Sequence, residues 1–317
     1  IKAHNCFIFV KMSELLNKDI YAEVKSALEK AQFPFFISGA VAFGSRAKGT
    51  ETAYSDIDIL IVANGINPKR HRRGTEIVLI KRCLPALPFD ILLLTRDEVV
   101  SNFKNHNPLF LDIAEEGLII LDRDGFLNGL VAETKEYIGQ RGIKKIKNGW
   151  EFRVKKGIPT LLSKISNKDF SAAMLTDGQR DFDIGKKLIE SGFYDKAVYH
   201  FQQAIEKSIK SVLIAMGVFQ KTHFVGEVLR ITVNEKNIAD EWKKRLLEIA
   251  EISEGIEPEV SLSRYPVIIN DTLWLPSGEY ERVDAEETMK KAGKVLQVSK
   301  EFTDDWFFPG YSAEDGR

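Results

Sequence analysis

Three short apolar stretches in the first 94 residues have the pattern of β-strands, and this pattern constrains the fold most. Residues 35–43 and 89–94 are nearly continuous apolar runs, and residues 56–62 alternate polar and apolar side chains. Alternation is typical of a strand with one buried face, because successive side chains point to opposite faces. Apolar residues at steps of three or four predict a helix over residues 14–31. These elements together predict a small α+β unit.

The second half of the chain has the apolar periodicity of helices. Helices are predicted over residues 177–191, 195–216, 224–233, 239–254 and 285–303. We therefore predict an α+β domain over residues 13–125 and an all-α helical bundle over residues 171–305. Lysines, arginines and glycines concentrate near residues 141–157, which marks residues 126–170 as a basic interdomain region. Residues 306–317 are predicted to be a C-terminal tail.

The composition sets limits on the partners of the chain. Its 317 residues are 44% hydrophobic, which is enough for two cores, and 45 basic against 46 acidic side chains give a net charge of -1. No whole-molecule attraction to nucleic acid or to an anionic membrane is expected. The longest apolar stretch, residues 33–44, is too short for a membrane helix, which needs about 20 residues. Cys6 and Cys83 are predicted to be free thiols, as expected of a cytoplasmic protein.

Three carboxylates are candidates for a metal site. Asp56 and Asp58 stand two residues apart in a predicted strand and should share a face. Asp90 interrupts an apolar strand, where a carboxylate is costly unless it is paired or binds a metal. Mg²⁺ typically binds one or two carboxylates together with phosphate oxygens. We predict that all three are catalytic and bind two Mg²⁺ ions, with Mn²⁺ as an alternative; otherwise Asp56 is a turn residue and Asp58 faces solvent.

A Gly-Ser pair precedes these acids, with Ser45 eleven residues before Asp56. Gly44 allows close approach of the backbone to a phosphate, and the Ser45 hydroxyl is a donor to its oxygens. Arg46 and Lys48 add positive charge. We predict that these four residues bind the triphosphate of a nucleotide.

Gly-Ser, Asp-x-Asp and a later strand Asp together resemble the minimal nucleotidyltransferases of the DNA polymerase beta-like superfamily. The resemblance covers roughly residues 20–120. It implies a mixed sheet with flanking helices and Mg²⁺-dependent transfer of a nucleoside monophosphate from an NTP, which we expect to be ATP. The acceptor would be a hydroxyl of a protein, a nucleic acid or a small molecule.

The predicted helix over residues 195–216 has two distinct faces. Val198, Phe201, Ile205, Ile209, Val212 and Met216 form an apolar arc, which predicts a core face. His200, Gln203, Lys207 and Lys210 fall nearly opposite. This second arc is either a solvated face or a site for phosphate or another anion.

This helix and its flanks resemble the HEPN domain, a helical bundle linked with nucleotide binding and RNA cleavage. The resemblance spans about residues 171–303 and rests on Tyr194, Asp195, Ala197, His200, Gln203, Ala204, Glu206, Lys207, Lys210, Gly217, Lys221, Thr222, His223 and the later Ser263-Arg264-Tyr265-Pro266. It implies that Lys207, Lys210 and His223 bind nucleotide, although His223 would alternatively be a capping or core residue. Ribonuclease members carry an Arg four to six residues before a His. No His here has one, which argues against RNA cleavage.

Aromatic and basic clusters leave further alternatives open. Residues 69–73 are a solvated basic loop or a contact for acceptor phosphates, and Trp150 is a packing residue or a stacking surface for a base. Residues 306–308 are consecutive aromatics that dock on the bundle or on a second subunit, so a homodimer is one expectation.

Two other functions compete with the nucleotidyltransferase prediction. One is a non-catalytic NTP-binding regulator or antitoxin-like protein, which the three acids disfavour. The other is nucleotidyl transfer to a small molecule of the antibiotic type. Self-modification is a further hypothesis, with Tyr194, Tyr199 and Tyr265 as candidate acceptors.

Overall fold

The computed structural model describes residues 20–50, 55–147, 149–162, 164–269 and 271–309. The chain divides into two compact units between Arg141 and Gly142. The first unit is a mixed sheet with flanking helices and the second is mainly helical, so the predicted fold class is confirmed. The start of the first predicted helix, Cys6 and residues 310–317 lie outside the described residues.

A four-stranded sheet in the order β3-β2-β1-β4 forms the centre of the first unit. Its strands are β1 (Phe36–Phe43), β2 (Ile57–Asn64), β3 (Phe89–Leu94) and β4 (Leu118–Asp122). β1 runs antiparallel to β2 and β4, whereas β2 and β3 are parallel. The three strands predicted from the sequence are all present. β4 is an additional strand at the edge of the sheet next to β1.

Helices cover both faces of this sheet. They are α1 (residues 20–30), α2 (Gly44–Lys48), α3 (Gly74–Cys83), α4 (Arg96–Lys104), α5 (Pro108–Glu116) and α6 (Phe126–Arg141). Ile57, Ile59 and Ile61 of β2 pack in a core with α1 and α3. Leu60 and Val62 pack in a second core with α4, α5 and α6. Because side chains alternate along a strand, Asp58 lies on the face of Leu60 and Val62.

Arg73 corrects the expectation that residues 69–73 are all solvated. Its side chain is only 1% exposed, whereas residues 69–72 are exposed. The Arg73 guanidinium forms a two-point ion pair with Glu98 at 2.7 and 3.0 Å. It also donates to the carbonyls of Asn67, Pro68 and Leu93. The loop after β2, the end of β3 and the start of α4 are thereby held together.

The second unit is a helical bundle around α8. Its helices are α7 (Asn167–Glu190), α8 (Tyr194–Ala215), α9 (Gly226–Glu235), α10 (Asp240–Ile256), α11 (Glu259–Leu262), α12 (Pro276–Glu279) and α13 (Arg282–Phe307). α7 and α13 pack along α8, and the predicted apolar arc of α8 is fully buried. Trp306 and Phe307 belong to the same core, while Phe308 is half-exposed.

Two small sheets accompany the bundle. β5 (Lys144–Ile146), β6 (Gly149–Glu151) and β7 (Val218–Gln220) form one sheet, and β8 (Val267–Ile269) with β9 (Thr272–Trp274) forms a hairpin. Trp150 of β6 is 1% exposed and is therefore a packing residue. The segment expected to be interdomain contributes α6 to the first unit and β5 and β6 to the second.

Two further expectations can be compared with the described part of the chain. Cys83 is a free thiol there, as predicted. No helix among the described residues is both long enough and apolar enough to cross a bilayer.

Candidate functional site

Two of the three candidate acids lie side by side at one end of the sheet. Asp58 of β2 and Asp90 of β3 are direct partners in the parallel register, and Phe43 of β1 pairs with Asp58 on its other side. Neighbouring strands are about 4.8 Å apart, so two carboxylates in this register repel each other. Asp58 is half-buried, but Asp90 is exposed. The sequence suggested that Asp90 would pay a desolvation cost inside an apolar strand. Because its side chain is exposed, no such cost arises.

Asp56 lies just before β2 and is exposed. Within the described residues, no group of three or more His, Cys, Asp or Glu side chains is arranged to hold a metal ion. The described residues thus provide two adjacent carboxylates, Asp58 and Asp90, and a third, exposed carboxylate just before β2. Such an arrangement fits Mg²⁺, which keeps water and phosphate oxygens among its ligands.

Gly44 connects β1 to α2 directly against Asp58. Its backbone has a φ of +78°, in the left-handed region that favours glycine. A Cβ placed on Gly44 would lie 2.9 Å from Cγ of Asp58 and closer still to its carboxylate oxygen. Only glycine therefore allows the Gly-Ser turn and the Asp58 carboxylate to approach this closely.

If the site catalyses the nucleotidyl transfer expected from the sequence, Gly44→Ala should lower its rate about 100-fold, because displacing a reacting group by about 1 Å has effects of that size. Gly49→Ala is the matched control. Gly49 ends the same helix with a φ of +69°, but a Cβ there meets nothing within 4 Å. Both variants introduce similar backbone strain, so equal losses of activity would show that strain alone matters and not the contact with Asp58.

The two cations after Gly44-Ser45 have structural partners. Nε of Arg46 donates to the carbonyl of Ser55 at 2.6 Å, which ties α2 to the segment before Asp56. Lys48 forms an ion pair with Glu116 at the end of α5. The first turn of α2 contains no acidic residue, and no side chain caps its N–H groups. These N–H groups are suited to donate hydrogen bonds to phosphate oxygens.

In the second unit, the predicted nucleotide-binding Lys207 lies between two carboxylates. It pairs with Asp177 and, at 2.6 Å, with Asp181, which also contacts Nδ1 of His200 at 2.9 Å. Burial opposes ionisation of Asp181, but hydrogen bonds from His200 and Lys207 outweigh it and lower the pKa of this carboxyl. Burial likewise disfavours the charged form of Lys207, yet both acids together raise its pKa.

Lys210 and His223 share a different carboxylate. Glu206 is buried and contacts Lys210 at 2.8 Å and Nδ1 of His223 at 3.0 Å. The three predicted nucleotide-binding residues of this unit therefore divide between two clusters, each centred on an acid. Sequence reasoning overlooked Asp177 and Asp181. Their spacing of four residues on one helix was the available signal.

Comparisons with known proteins match each unit to a family. Residues 24–121 match the family described as nucleotidyltransferase domain, and residues 171–302 match the HEPN domain. A candidate toxin of Methanocaldococcus jannaschii is 36% identical over 136 residues, which are 43% of this chain and 90% of the relative. A candidate protein adenylyltransferase of the same organism is 30% identical over 112 residues, which are 34% of this chain and 75% of that relative.

The chain is a nucleotidyltransferase domain joined to a HEPN domain. The nucleotidyltransferase domain makes it a transferase that uses a nucleotide substrate, and it contains Gly44, Asp58 and Asp90. The HEPN domain contains both acid-centred clusters. A solved nucleotidyltransferase-like protein from Exiguobacterium sibiricum 255-15 aligns with 94% of this chain and 78% of its own, at 15% identity and a TM-score of 0.38.

Proposed function

We propose that this protein catalyses Mg²⁺-dependent transfer of a nucleoside monophosphate, adenylate from ATP, to a hydroxyl group. The observation that carries the proposal is the register of Asp58 with Asp90 beside Gly44. Two carboxylates held together next to a close-approach glycine are suited to a metal–triphosphate complex. The likeness to a candidate protein adenylyltransferase supports adenylate as the transferred group.

In the proposed reaction, the acceptor oxygen attacks the α-phosphorus of ATP. The bond from that phosphorus to the bridging oxygen breaks, and pyrophosphate leaves with both bonding electrons. Asp56 and Asp58 hold the metal, and Asp90 completes the site and accepts the proton of the acceptor hydroxyl. Gly44 and Ser45 position the triphosphate through backbone N–H groups and the Ser45 hydroxyl.

Bound Mg²⁺ supplies charge neutralisation for the phosphates and lowers the pKa of the attacking hydroxyl. Arg46 has a positioning role, because its Nε–H is engaged by the Ser55 carbonyl. The chain itself contributes geometry and negative charge to this site. Catalysis of phosphoryl transfer rests largely on such positioning and electrostatic stabilisation, without a covalent enzyme intermediate.

A protein hydroxyl is the acceptor that we propose. One relative is a candidate protein adenylyltransferase and the other is a candidate toxin, and the two matches have lengths similar to the two domains here. Tyrosines of the HEPN domain are therefore candidate acceptors. Tyr265 is 54% exposed, and the Arg264 guanidinium lies 4.8 Å from its ring and 5.2 Å from that of Tyr199. Mass spectrometry after incubation with ATP and Mg²⁺ would detect an adenylate adduct.

Pyrophosphate release tests the proposal directly. Purified protein is incubated with each of the four NTPs and Mg²⁺, alone and with cell extract as a source of acceptor. We expect release with ATP, none in EDTA and none from Asp56→Asn. Absence of release in every mixture, despite measurable ATP binding, would instead support the non-catalytic regulator.

The HEPN domain has a less defined role in this scheme. Nucleotide binding by Lys207, Lys210 and His223 stays a prediction. Asp177 and Asp181 offset the charge of Lys207, and Glu206 offsets that of Lys210 and also contacts His223. A small-molecule acceptor stays an alternative. Activity with a purified small alcohol or aminoglycoside in place of extract would favour it.

A further inference from the structure

A cleft of about 450 Å³ opens between α9 and the β5–β6–β7 sheet. We name it the α9 cleft. Ile146, Val218 and Val228 contribute apolar surface to its lining. Phe224 and Ile231 also line it and are 57% and 48% exposed. A concave site with an apolar lining and this volume falls within the range that binds small organic molecules, about 300–1,000 Å³.

Two uncompensated carboxylates flank the apolar part of the cleft. Glu227 and Glu235 are exposed, line the cleft one turn to either side of Ile231, and make no hydrogen bond or ion pair with any described residue. Glu227 lies in the first turn of α9, where the helix dipole favours an acid. Glu235 is the last residue of α9, where the dipole disfavours one. The interaction of Glu235 with the helix dipole therefore does not stabilise α9 and does not explain why an acid lies there.

The lysines of the cleft do not cancel this charge. Lys236 forms an ion pair with Glu151 at 2.8 Å, which joins the end of α9 to β6. The opposite charges of this pair cancel each other. Lys147 already has an interaction within the chain. The lining contains three acids, Glu151, Glu227 and Glu235, against two lysines, so its net charge is negative.

We propose that the α9 cleft binds a small organic cation with an apolar body. Its apolar part would contact Phe224, Ile231 and the other apolar lining residues named above. Its ammonium group would lie near Glu227 or Glu235. An anionic ligand of the same shape would be repelled. All lining residues belong to the second unit, so the proposal does not depend on nucleotidyl transfer.

Methyl NMR of the full-length protein tests the proposal with tryptamine as the probe, because it combines an apolar ring with an ammonium group. The Ile146, Val218, Val228 and Ile231 methyl groups report on the cleft, and Ile249 in the bundle core serves as the internal reference. We expect saturable shifts at the cleft methyls only. Indole-3-propionate, which carries the same ring and a negative charge, should bind at least tenfold more weakly.

Removing the two rim charges completes the test. Glu227→Gln/Glu235→Gln should weaken tryptamine binding about three- to tenfold, whereas the control Glu190→Gln/Glu241→Gln, at exposed acids outside the cleft, should not change it. Ile231→Lys should abolish the shifts by placing a cation in the mouth. Equal affinity for the amine and the acid, or shifts that are unaffected by these substitutions, would overturn the proposal.

Discussion

Asp58→Asn is expected to reduce nucleotidyl transfer at least 1,000-fold while the protein remains folded. The substitution keeps the shape of the side chain and removes one charge from the pair with Asp90. A metal ion that stabilises developing charge is worth several kcal/mol in the transition state, and each 1.4 kcal/mol is about a factor of ten in rate. Single-turnover pyrophosphate release with saturating ATP and Mg²⁺ measures the loss.

A second readout separates a catalytic role from a structural one. In the absence of metal, Asp58 and Asp90 are like charges in direct register, which is destabilising by a few tenths of a kcal/mol to about 1 kcal/mol. Asp58 also has an interaction within the chain, and relief of the repulsion should offset part of its loss, so the metal-free Asp58→Asn protein should remain folded. Asp97→Asn, at an exposed acid on α4, is the control and should retain full activity. Substantial transfer by Asp58→Asn would exclude Asp58 from the proposed site.

Arg73→Met is expected to destabilise the first unit by about 3–5 kcal/mol, the usual cost of removing one partner of a buried ion pair. The change leaves Glu98 with an uncompensated charge and leaves three carbonyls without their donor. Arg72→Met, at the exposed neighbour, should cost less than about 0.5 kcal/mol.

The positions of the tryptophans allow the unfolding of the two units to be measured separately. All four, at positions 150, 242, 274 and 306, lie in the second unit. Urea unfolding followed by tryptophan fluorescence therefore reports the second unit, and far-UV circular dichroism reports both. Arg73→Met should lower the urea midpoint of a circular dichroism component and leave the fluorescence transition unchanged. A shift in fluorescence alone would contradict the assignment.

Acid should partly reproduce the effect of Arg73→Met. Burial disfavours ionised Glu98, but hydrogen bonds from Arg73 and Thr95 outweigh it and lower the pKa of this carboxyl. A lowered pKa in the folded state means that the ion pair contributes fully above the pKa of the unfolded chain and is lost as pH falls through the folded value. This contribution should therefore begin to fall near the ordinary glutamate pKa of about 4.3, and it should continue to fall as the pH drops toward the lowered folded pKa. Arg73→Met should show a weaker pH dependence there than the wild type.

Strong local periodicity is the reason that the main elements could be predicted from the sequence. The apolar arc of α8 fixes which face of that helix is buried, and this face is as predicted. The alternation in β2 correctly indicated a strand, but Leu60 and Val62 bury its second face as well, so the expectation of one buried face was wrong. The pairing of Asp58 with Asp90 was not predictable in this way. Register depends on how two strands distant in sequence are aligned, which no periodicity within either strand determines.

Long-range contacts account for what the sequence did not predict. Arg73 looks like one more member of a basic run, and only the distant Glu98 and Leu93 make it a buried residue. Lys207 looks available to an anion until Asp177 and Asp181 of the preceding helix are considered. Strands of three residues, such as β5 and β6, are too short to show any period.

The pairing of β6 with β7 has a consequence for where this chain can be divided. Trp150 pairs with Phe219, so the segment after Arg141 is built into the second unit well before its first long helix. A fragment that starts at residue 171 would lack β5 and β6 and would uncover the buried side chains of Val218 and Phe219. The autonomous folding unit therefore extends upstream of the stretch that matches the HEPN family. Proteolysis or gene fission that spares this unit would have to occur before β5.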